Sequence, residues 1–425
     1  MQDLQLLAIN LTEKCNMACA HCYLDAKTLK QGAASELGTD EVCELLSQLA
    51  SRSTQTMVVL TGGEPLLRAD LEEMIQHGSG LGLSMVIGTN GTALTERRVQ
   101  SLKRAGLLGV GISVDSLQAE KHDQFRGLKG SWAKTMNGIE ACRKHGLSFQ
   151  IHFTVTRRNH HEIKAITEFS HAVGARVLNF FFLVCTGRGK SVQDIDADTY
   201  ERVLKEIIET QSNYPEMIIR ARCAPHFKRV AYQLNPQSKL NKISGMDGDG
   251  CTAGIHYARV SPTGTVTACP YIEQGVGTIR EHDFWQLWDH APQFELLRNP
   301  VLAGRCGECE FRLLCGGCRA RPMTQSGQLM AEDPLCQYVP QNTPPIAAMN
   351  TQEFADIVWS DKARLRLDKI PGFLQKMIKQ RAEAYVSDLG EHCVTAEHLH
   401  LLAARRFGGP PAAFQKIAQP EDGQP

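Results

Sequence analysis

The chain has 425 residues, 42% apolar and 22% charged, with 46 basic and 46 acidic side chains; this is the composition of an ordinary protein with a sizeable core and room for two or three domains. Zero formal net charge gives no ground for a nucleic-acid or anionic-membrane partner, and neither a basic-then-apolar leader nor a run of about 18 apolar residues is seen. The fifteen cysteines, many of them close-set, then read as metal or cluster ligands in a reducing, cytoplasmic setting, where disulfides are rare.

Up to residue 222, short β-branched or apolar runs alternate with helical patterns. Strands are expected at Leu6–Asn10, Met57–Leu60, Ser84–Gly88, Val110–Val114, Phe149–Val155, Val177–Val184 and Met217–Ala221. Helices are expected at Thr39–Ala50, Ala69–Ser79, Thr95–Ala105, Ser131–His145, Asn159–Val173 and Ala197–Gln211, with Thr39 and Thr95 suited to N-caps. The alternation predicts an α/β fold: right-handed βαβ units around a parallel sheet, about six of them, forming a partial TIM-like barrel. In such folds chemistry gathers at the C-terminal ends of the strands, and the unusual residues fall there. After the first strand comes Cys15-Asn16-Met17-Ala18-Cys19-Ala20-His21-Cys22-Tyr23. Three thiolates at this spacing leave one iron of a 4Fe–4S cluster open to a ligand; a zinc site, the competing reading, usually takes four protein ligands. After the second strand, Thr61-Gly62-Gly63-Glu64-Pro65 offers two glycines that let backbone groups approach a ligand closely, and a carboxylate. Thr89-Asn90-Gly91 makes a turn after the third strand. Ser113 and Asp115 share a face at the end of the fourth, and Thr186-Gly187-Arg188-Gly189 follows the sixth, its glycines and arginine suiting either a loop near an anionic ligand or a solvated turn.

From Cys251 helical periodicity fades. The turn Ser261-Pro262-Thr263-Gly264 predicts a hairpin, and Cys306, Cys309, Cys315 and Cys318 precede a distant Cys336. Thiolates two residues apart can chelate one centre without backbone strain, so an iron–sulfur site and a zinc ribbon are both open. Cys43, Cys142, Cys185 and Cys393 stand alone and read as core thiols. Residues 341–350 carry prolines and read as a linker; helical patterns follow at Thr351–Leu367, Phe373–Leu389 and Thr395–Arg405, and residues 408–425 read as a disordered tail.

The C-x3-C-x2-C spacing followed by an aromatic residue, with the Gly62–Pro65 segment one unit later, resembles the radical S-adenosylmethionine (radical SAM) superfamily. The resemblance implies that Cys15, Cys19 and Cys22 hold a 4Fe–4S cluster whose open iron chelates SAM. One electron from the cluster cleaves SAM to a hydrogen-abstracting 5′-deoxyadenosyl radical. It also implies cofactor contacts at Tyr23, Gly62, Gly63, Glu64, Pro65, Thr89, Asn90, Ser113, Asp115 and Arg188, with ribose at Ser113 and Asp115. Cys251, Gly264-x4-Cys269, the four-cysteine run and Cys336 resemble a SPASM domain, so residues 1–222 would be the radical SAM core and residues 223–340 a SPASM domain with auxiliary 4Fe–4S clusters. By position, Cys306, Cys309, Cys315 and Cys336 would hold the outer one; Cys251, Cys269 and Cys318 would hold the inner one, with Cys223 or a substrate as fourth ligand. The last cysteine pair departs from the pattern, being spaced by two residues where many members have three.

Almost all of residues 1–340, through Gly111–Ser116, His122–Arg126, Phe149–Thr156, Phe181–Val184 with Thr186-Gly187-Arg188, and Cys223-Ala224-Pro225, looks like the radical SAM enzymes of haem d1 synthesis and of siroheme-dependent alternative haem synthesis. Residues 351–407, with Trp359, Ile370-Pro371-Gly372 and Gly390, resemble a small helical domain of light-independent protochlorophyllide reductase. These likenesses imply a siroheme-derived iron tetrapyrrole as substrate, removal of acetate or propionate fragments, an electron donor such as flavodoxin or ferredoxin, and His226 as a candidate ligand of the tetrapyrrole iron. The alternatives are a radical SAM/SPASM maturase of a ribosomal peptide and an iron–sulfur carrier that has lost SAM. A peptide maturase usually carries an N-terminal peptide-binding domain, for which a strand starting near residue 6 leaves no room. The intact Gly62–Pro65, Ser113 and Asp115 positions speak against the carrier.

Overall fold

The computed structural model describes residues 3–26, 35–192, 195–238, 240, 250–346, 357–368, 370 and most of 375–407. The chain separates into two compact units: residues 1–214 with 218–348, and residues 349–425 with 215–217.

The first unit is built from β1 (Leu6–Asn10), α1 (Thr39–Arg52), β2 (Met57–Thr61), α2 (Leu71–Gly80), β3 (Ser84–Thr89), α3 (Glu96–Arg104), β4 (Gly109–Ser113), α4 (Ala119–Arg126), α5 (Ser131–Lys144), β5 (Ser148–Val155), α6 (Ile163–Ala172), β6 (Val177–Phe182), α7 (Ala197–Gln211), β7 (Ile218–Arg222) and α8 (His226–Leu234). These seven strands lie side by side, in order and parallel. The weak seventh strand candidate is therefore a full member of the sheet. On the outer side of β1 the sheet continues into β8 (Tyr257–Val260), parallel, then into the antiparallel β9 (Thr265–Thr267) and β10 (Gly277–Thr278). The hairpin expected around residues 261–269 is present, but it extends the core sheet across the expected 222/223 boundary.

Each parallel strand has two unlike faces. One is apolar and buried: Leu7, Ile9, Val58, Leu60, Met85, Ile87, Val110, Ile112, Ile151, Phe153, Leu178, Phe180. The other carries two rows in register across neighbouring strands, Asn10 with Thr61 and Ser113 with His152, Asn179 and Arg220, and beside them Gln150, Thr154, Phe181 and Arg222. Parallel strands buried on both faces read as continuous apolar runs. The polar side chains on β4–β7 therefore set this face apart from the apolar one.

Thr95 caps α3, its Oγ1 accepting from Arg98 N at 3.2 Å. At α1 the N-cap is Gly38, not Thr39; the Glu41 carboxylate accepts Gly38 N at 2.9 Å. An unexpected element is α4, whose sequence AEKHDQFR shows no apolar period.

The second unit differs from a plain helical trio. β11 (Val358–Trp359) pairs in parallel with β12 (Cys393–Val394), so Val358 and Trp359 lie in a strand where a helix is expected. Helices span Asp361–Asp368 and Ala396–Phe407. Trp359, Ala363, Ala382, Val386, Val394 and Leu399 form its core, and Trp359 Nε1 donates to Glu383 Oε1 at 2.9 Å. Part of the expected helix Phe373–Leu389, residues 347–356 and the tail 408–425 lie outside the described residues.

Candidate active site

The loop after β1 brings Cys15, Cys19 and Cys22 together, and three elements hold its backbone from three sides. The Gly62–Glu64 turn donates Gly63 N to Thr12 O (2.7 Å) and Glu64 N to Lys14 O (2.9 Å). A Cβ at Gly62 would lie 2.6 Å from Thr12 O, and one at Gly63 2.2 Å from Lys14 O. The backbone that these glycines let close is thus the cysteine loop itself. The end of α4 accepts Ala18 N and Ala20 N at Arg126 O and Phe125 O. From beyond β6, Arg188 donates Nε to Cys19 O (3.0 Å) and Nη1 to Ala26 O and Asp25 Oδ1 (both 2.8 Å). The loop Thr186–Gly189, expected beside an anion, therefore spends its guanidinium on the cysteine loop.

Glu64 is fully buried. Its Oε1 accepts from Thr89 Oγ1 (2.7 Å) and Leu66 N (3.1 Å), its Oε2 from Asn90 N (2.8 Å). Burial raises its pKa above the ordinary range. Glu64, Thr89 and Asn90 are brought together as expected, but the carboxylate ties β2 to β3 and is not presented to a ligand. Asp115 lies two residues past β4, 1% exposed, and pairs with Arg126 Nη2 at 2.5 Å; Thr154 N donates to its Oδ1 at 2.8 Å. Burial would raise its pKa, yet Arg126, with His21 and His122, holds it below the usual value. Asp115 is thereby committed to Arg126, while Ser113 remains half-buried on the polar face. Arg126 also reaches Cys19 Sγ at 3.7 Å.

Burial pushes the Cys15 thiol up to about 12 and raises Cys19. As free thiols they stay protonated at neutral pH; ligation by iron is what would make them thiolates. Met17 N and Ala26 N already point at the sulfurs of Cys15 and Cys22. The donor set fits an iron–sulfur cluster with one iron open to a ligand.

The remaining cysteines fall into two sets. Burial, then the charges of Cys223, Cys251 and Cys318, push Cys269 up. Burial, with Cys251 and Cys223 in lesser part, raises Cys318 to about 12. Cys223 follows β7 directly, and Cys251 and Cys269 flank β8 and β9, so this set joins opposite ends of the parallel row. In the other set, Cys306, Cys309, Cys315 and Cys336 line a cavity of about 20 Å³ with His226 and Arg229. Among the described residues no three His, Cys, Asp or Glu side chains converge on a point where a single ion would sit. Tyr23, its hydroxyl accepting from Asn10 Nδ2 at 3.0 Å, packs edge-on to Tyr271 at 5.6 Å and so stands between the Cys22 loop and the set around Cys269.

His226 is 1% exposed. Its Nδ1 meets the Tyr200 hydroxyl at 2.8 Å and its Nε2 faces Asp333 at 3.7 Å. Burial lowers its pKa to about 4. It belongs to a buried network with Tyr200 and Asp333.

Sequence reasoning missed Arg126, which sits on the unforeseen α4, and the face residues His152, Asn179 and Arg259. Alternation within Phe149–Val155 already places Gln150, His152 and Thr154 on one side, and that signal was available. Gly111 makes the room for His152: a Cβ there would lie 2.3 Å from its ring.

A parallel βα sheet with three thiols after the first strand and a glycine turn after the second defines a radical SAM enzyme. The model of the radical SAM superfamily matches residues 9–170, and that of the proto-chlorophyllide reductase 57 kD subunit matches residues 359–402. An AdoMet-dependent heme synthase of Methanosarcina barkeri is 38% identical over 342 residues, 79% of this chain and 97% of the relative. Another, from Oleidesulfovibrio alaskensis, is 38% identical over 80% of this chain and 89% of its own. A pre-heme d1 synthase of Dinoroseobacter shibae and a mycofactocin maturase of Mycobacterium ulcerans are 28% identical, over 79% and 78% of this chain and 86% and 87% of their own. Streptococcus suis SuiB bound to S-adenosylmethionine has the same fold at TM-score 0.65 and 16% identity, covering 79% of this chain and 78% of that one. The chain belongs to the radical SAM superfamily, in the family of the AdoMet-dependent heme synthases. Membership implies SAM and its 4Fe–4S cluster, for which the three thiols are the fitting ligands. No described helix is long and apolar enough to cross a membrane.

Proposed function

We propose that this enzyme removes carboxylate-bearing side-chain fragments from a siroheme-derived iron tetrapyrrole, on the route to haem rather than haem d1. The observation that carries the reading is the polar face of the parallel sheet, together with identity to the heme synthases ten percentage points above that to the pre-heme d1 synthase. Cys15, Cys19 and Cys22 would hold the SAM-binding cluster, which supplies a hydrogen-abstracting radical when loaded. Cys223, Cys251, Cys269 and Cys318 would hold an inner auxiliary cluster and Cys306, Cys309, Cys315 and Cys336 an outer one. The grouping of the thiols supports this, and it favours Cys223 over a substrate atom as fourth inner ligand. Arg126, Asp115 and Arg188 position the first loop; Ser113 and the backbone of the Gly62–Pro65 turn are the groups open to SAM. The electron donor would be a flavodoxin or ferredoxin and the setting cytoplasmic.

The test is anaerobic. The reconstituted, reduced chain is given SAM, and 5′-deoxyadenosine release is measured with siroheme, with its didecarboxylated form, and without either. Stimulation by a tetrapyrrole, with loss of side-chain mass, is expected. Release that no tetrapyrrole stimulates would overturn the substrate and move it to a peptide, the class on which SPASM-type maturases act.

A further inference from the structure

Two arginines stand on the polar face at opposite ends of the parallel row, each oriented by an asparagine. At the β7 end, Arg222 Nε donates to Asn179 Oδ1 at 3.2 Å, and Asn179 Nδ2 in turn donates to Gln150 Oε1 at 2.8 Å. The chain Gln150–Asn179–Arg222 crosses three neighbouring strands and sets the plane of the guanidinium. At the β8 end, Arg259 Nε donates to Asn10 Oδ1 at 3.3 Å, and Asn10 is itself tied to Tyr23. Arg259 is only 8% exposed. Among the described residues no carboxylate pairs with it; its neighbours are the neutral rings of Tyr23 and Tyr257.

A buried guanidinium such as that of Arg259, held by an amide oxygen and not by a carboxylate, is a ready site for an anion. Each guanidinium is planar, carries its donors in a fork that fits a carboxylate bidentately, and is pre-oriented through Nε. The two also flank the thiol set that joins both ends of the row, since Arg222 precedes Cys223 and Tyr257 beside Arg259 lies next to Cys269. Arg222 further acts on His152 in the middle of the face.

We propose that Arg222 and Arg259 form a two-point clamp for separate carboxylates of one polycarboxylate substrate, laid across the polar face beside the inner thiol set. The inference rests on the tetrapyrrole reading and deepens it: the ring would be held by side chains that are not removed. Both arginines are positioning and specificity residues, not catalytic ones.

The test uses the full, cluster-loaded chain under anaerobic conditions and measures binding rather than turnover. The probes are iron coproporphyrin, with four propionates, and its tetramethyl ester, each titrated by its Soret band. The clamp predicts that the wild type prefers the acid over the ester. It also predicts that Arg222→Gln and Arg259→Gln each weaken acid binding about tenfold or more, the loss expected for a charge-assisted hydrogen bond, while ester binding is unchanged. Arg222→Lys and Arg259→Lys, which keep charge but lose the fork, should recover part of it. Cluster absorbance and SAM affinity serve as controls for folding and for the competing anion. Equal binding of acid and ester, or acid binding untouched in both Gln variants, overturns the clamp with the tetrapyrrole reading intact. SAM affinity falling in place of porphyrin affinity reassigns Arg259 to the SAM carboxylate and overturns it too. No Soret change with either probe in the wild type overturns the tetrapyrrole reading and the clamp together.

Discussion

The two cysteine regions of the first unit solve the same problem in opposite ways. The loop at Cys15–Cys22 has no regular structure, but it rests on the most regular part of the molecule. Two glycines, the end of α4 and Arg188 each bond to its backbone, and all three stand on the parallel βα frame. The block from Cys306 to Cys336 has little such support; its helices span only Gly304–Glu308 and Ala320–Ser326. It is held by buried ions. Asp333, fully buried, accepts Cys318 N at 2.7 Å and Leu335 N at 3.0 Å and pairs with Arg321 at 3.2 Å. Arg229, 2% exposed, pairs with Glu201 at 2.6 Å beside Cys309, Cys315 and Cys336. The first region is shaped by the frame it rests on, whereas the second would owe more of its order to ligation, as small metal-bound folds do.

The largest effect should come from Cys19→Ala. SAM cleavage should be abolished while the absorbance and EPR signals of the proposed auxiliary clusters persist, because the two proposed thiol sets share no ligand with the first loop. Cleavage that survives would sink the assignment of the first loop. Next is Asp333→Ala, which takes the carboxylate away from buried Arg321. Removing one member of a buried pair costs about 3–5 kcal/mol. Amide hydrogen exchange over residues 301–340 should quicken accordingly, with β2–β6 still protected. If the strands loosened equally, the contrast between frame-held and ion-held regions would fail.

Gly63→Ala should act on the first region alone. The added methyl meets the Lys14 carbonyl, and overpacking of this kind costs about 1–3 kcal/mol. Iron and SAM binding at the first site should weaken while the auxiliary signals hold. Loss of the auxiliary signals at the same rate would mean that the glycine turn supports the whole unit.

What could be read from the amino-acid order follows the same division. Strand starts are legible because each parallel strand is a short apolar run ended by turn residues; Leu6–Asn10 agrees to the residue and Val177 begins where expected. The three-cysteine loop and the glycine turn are legible because their chemistry is local. Roles that depend on who reaches a group from elsewhere are not. Glu64 looks like a ligand's partner until Thr89 and Asn90 close on it, and Arg188 and His226 until Cys19 and Asp333 do. The α4 helix escapes because only His122, Phe125 and Arg126 are buried in it, too few to set a period. The two-residue strand at Val358–Trp359 escapes because its partner lies more than thirty residues on, at Cys393–Val394. Cys223 could be suspected from composition, but its place required knowing that β7 and β8 stand at opposite ends of the row and that one thiol set joins them.

The smallest effect separates two roles for Arg188. Its side chain is 28% exposed and its ion pair with Asp25 is largely solvated, so the pair itself contributes at most about 1 kcal/mol. The bonds to Cys19 O and Ala26 O matter more, because they fix the loop that carries the thiols. Lysine keeps the charge but has no planar fork to bridge two carbonyls and a carboxylate. With Arg188→Lys the first loop should therefore loosen by about 1–2 kcal/mol, a factor of roughly 5–30 in a local equilibrium. Iron at the first site should be lost to a chelator faster by that order, and iron in the auxiliary sites should leave at the wild-type rate. SAM affinity, measured before any iron is lost, should change little, because the guanidinium donates to Cys19 O, Ala26 O and Asp25 of the loop. The opposite pattern, weakened SAM binding with unchanged iron loss, would return Arg188 to the SAM carboxylate and remove one of the three supports that distinguish the first region from the second.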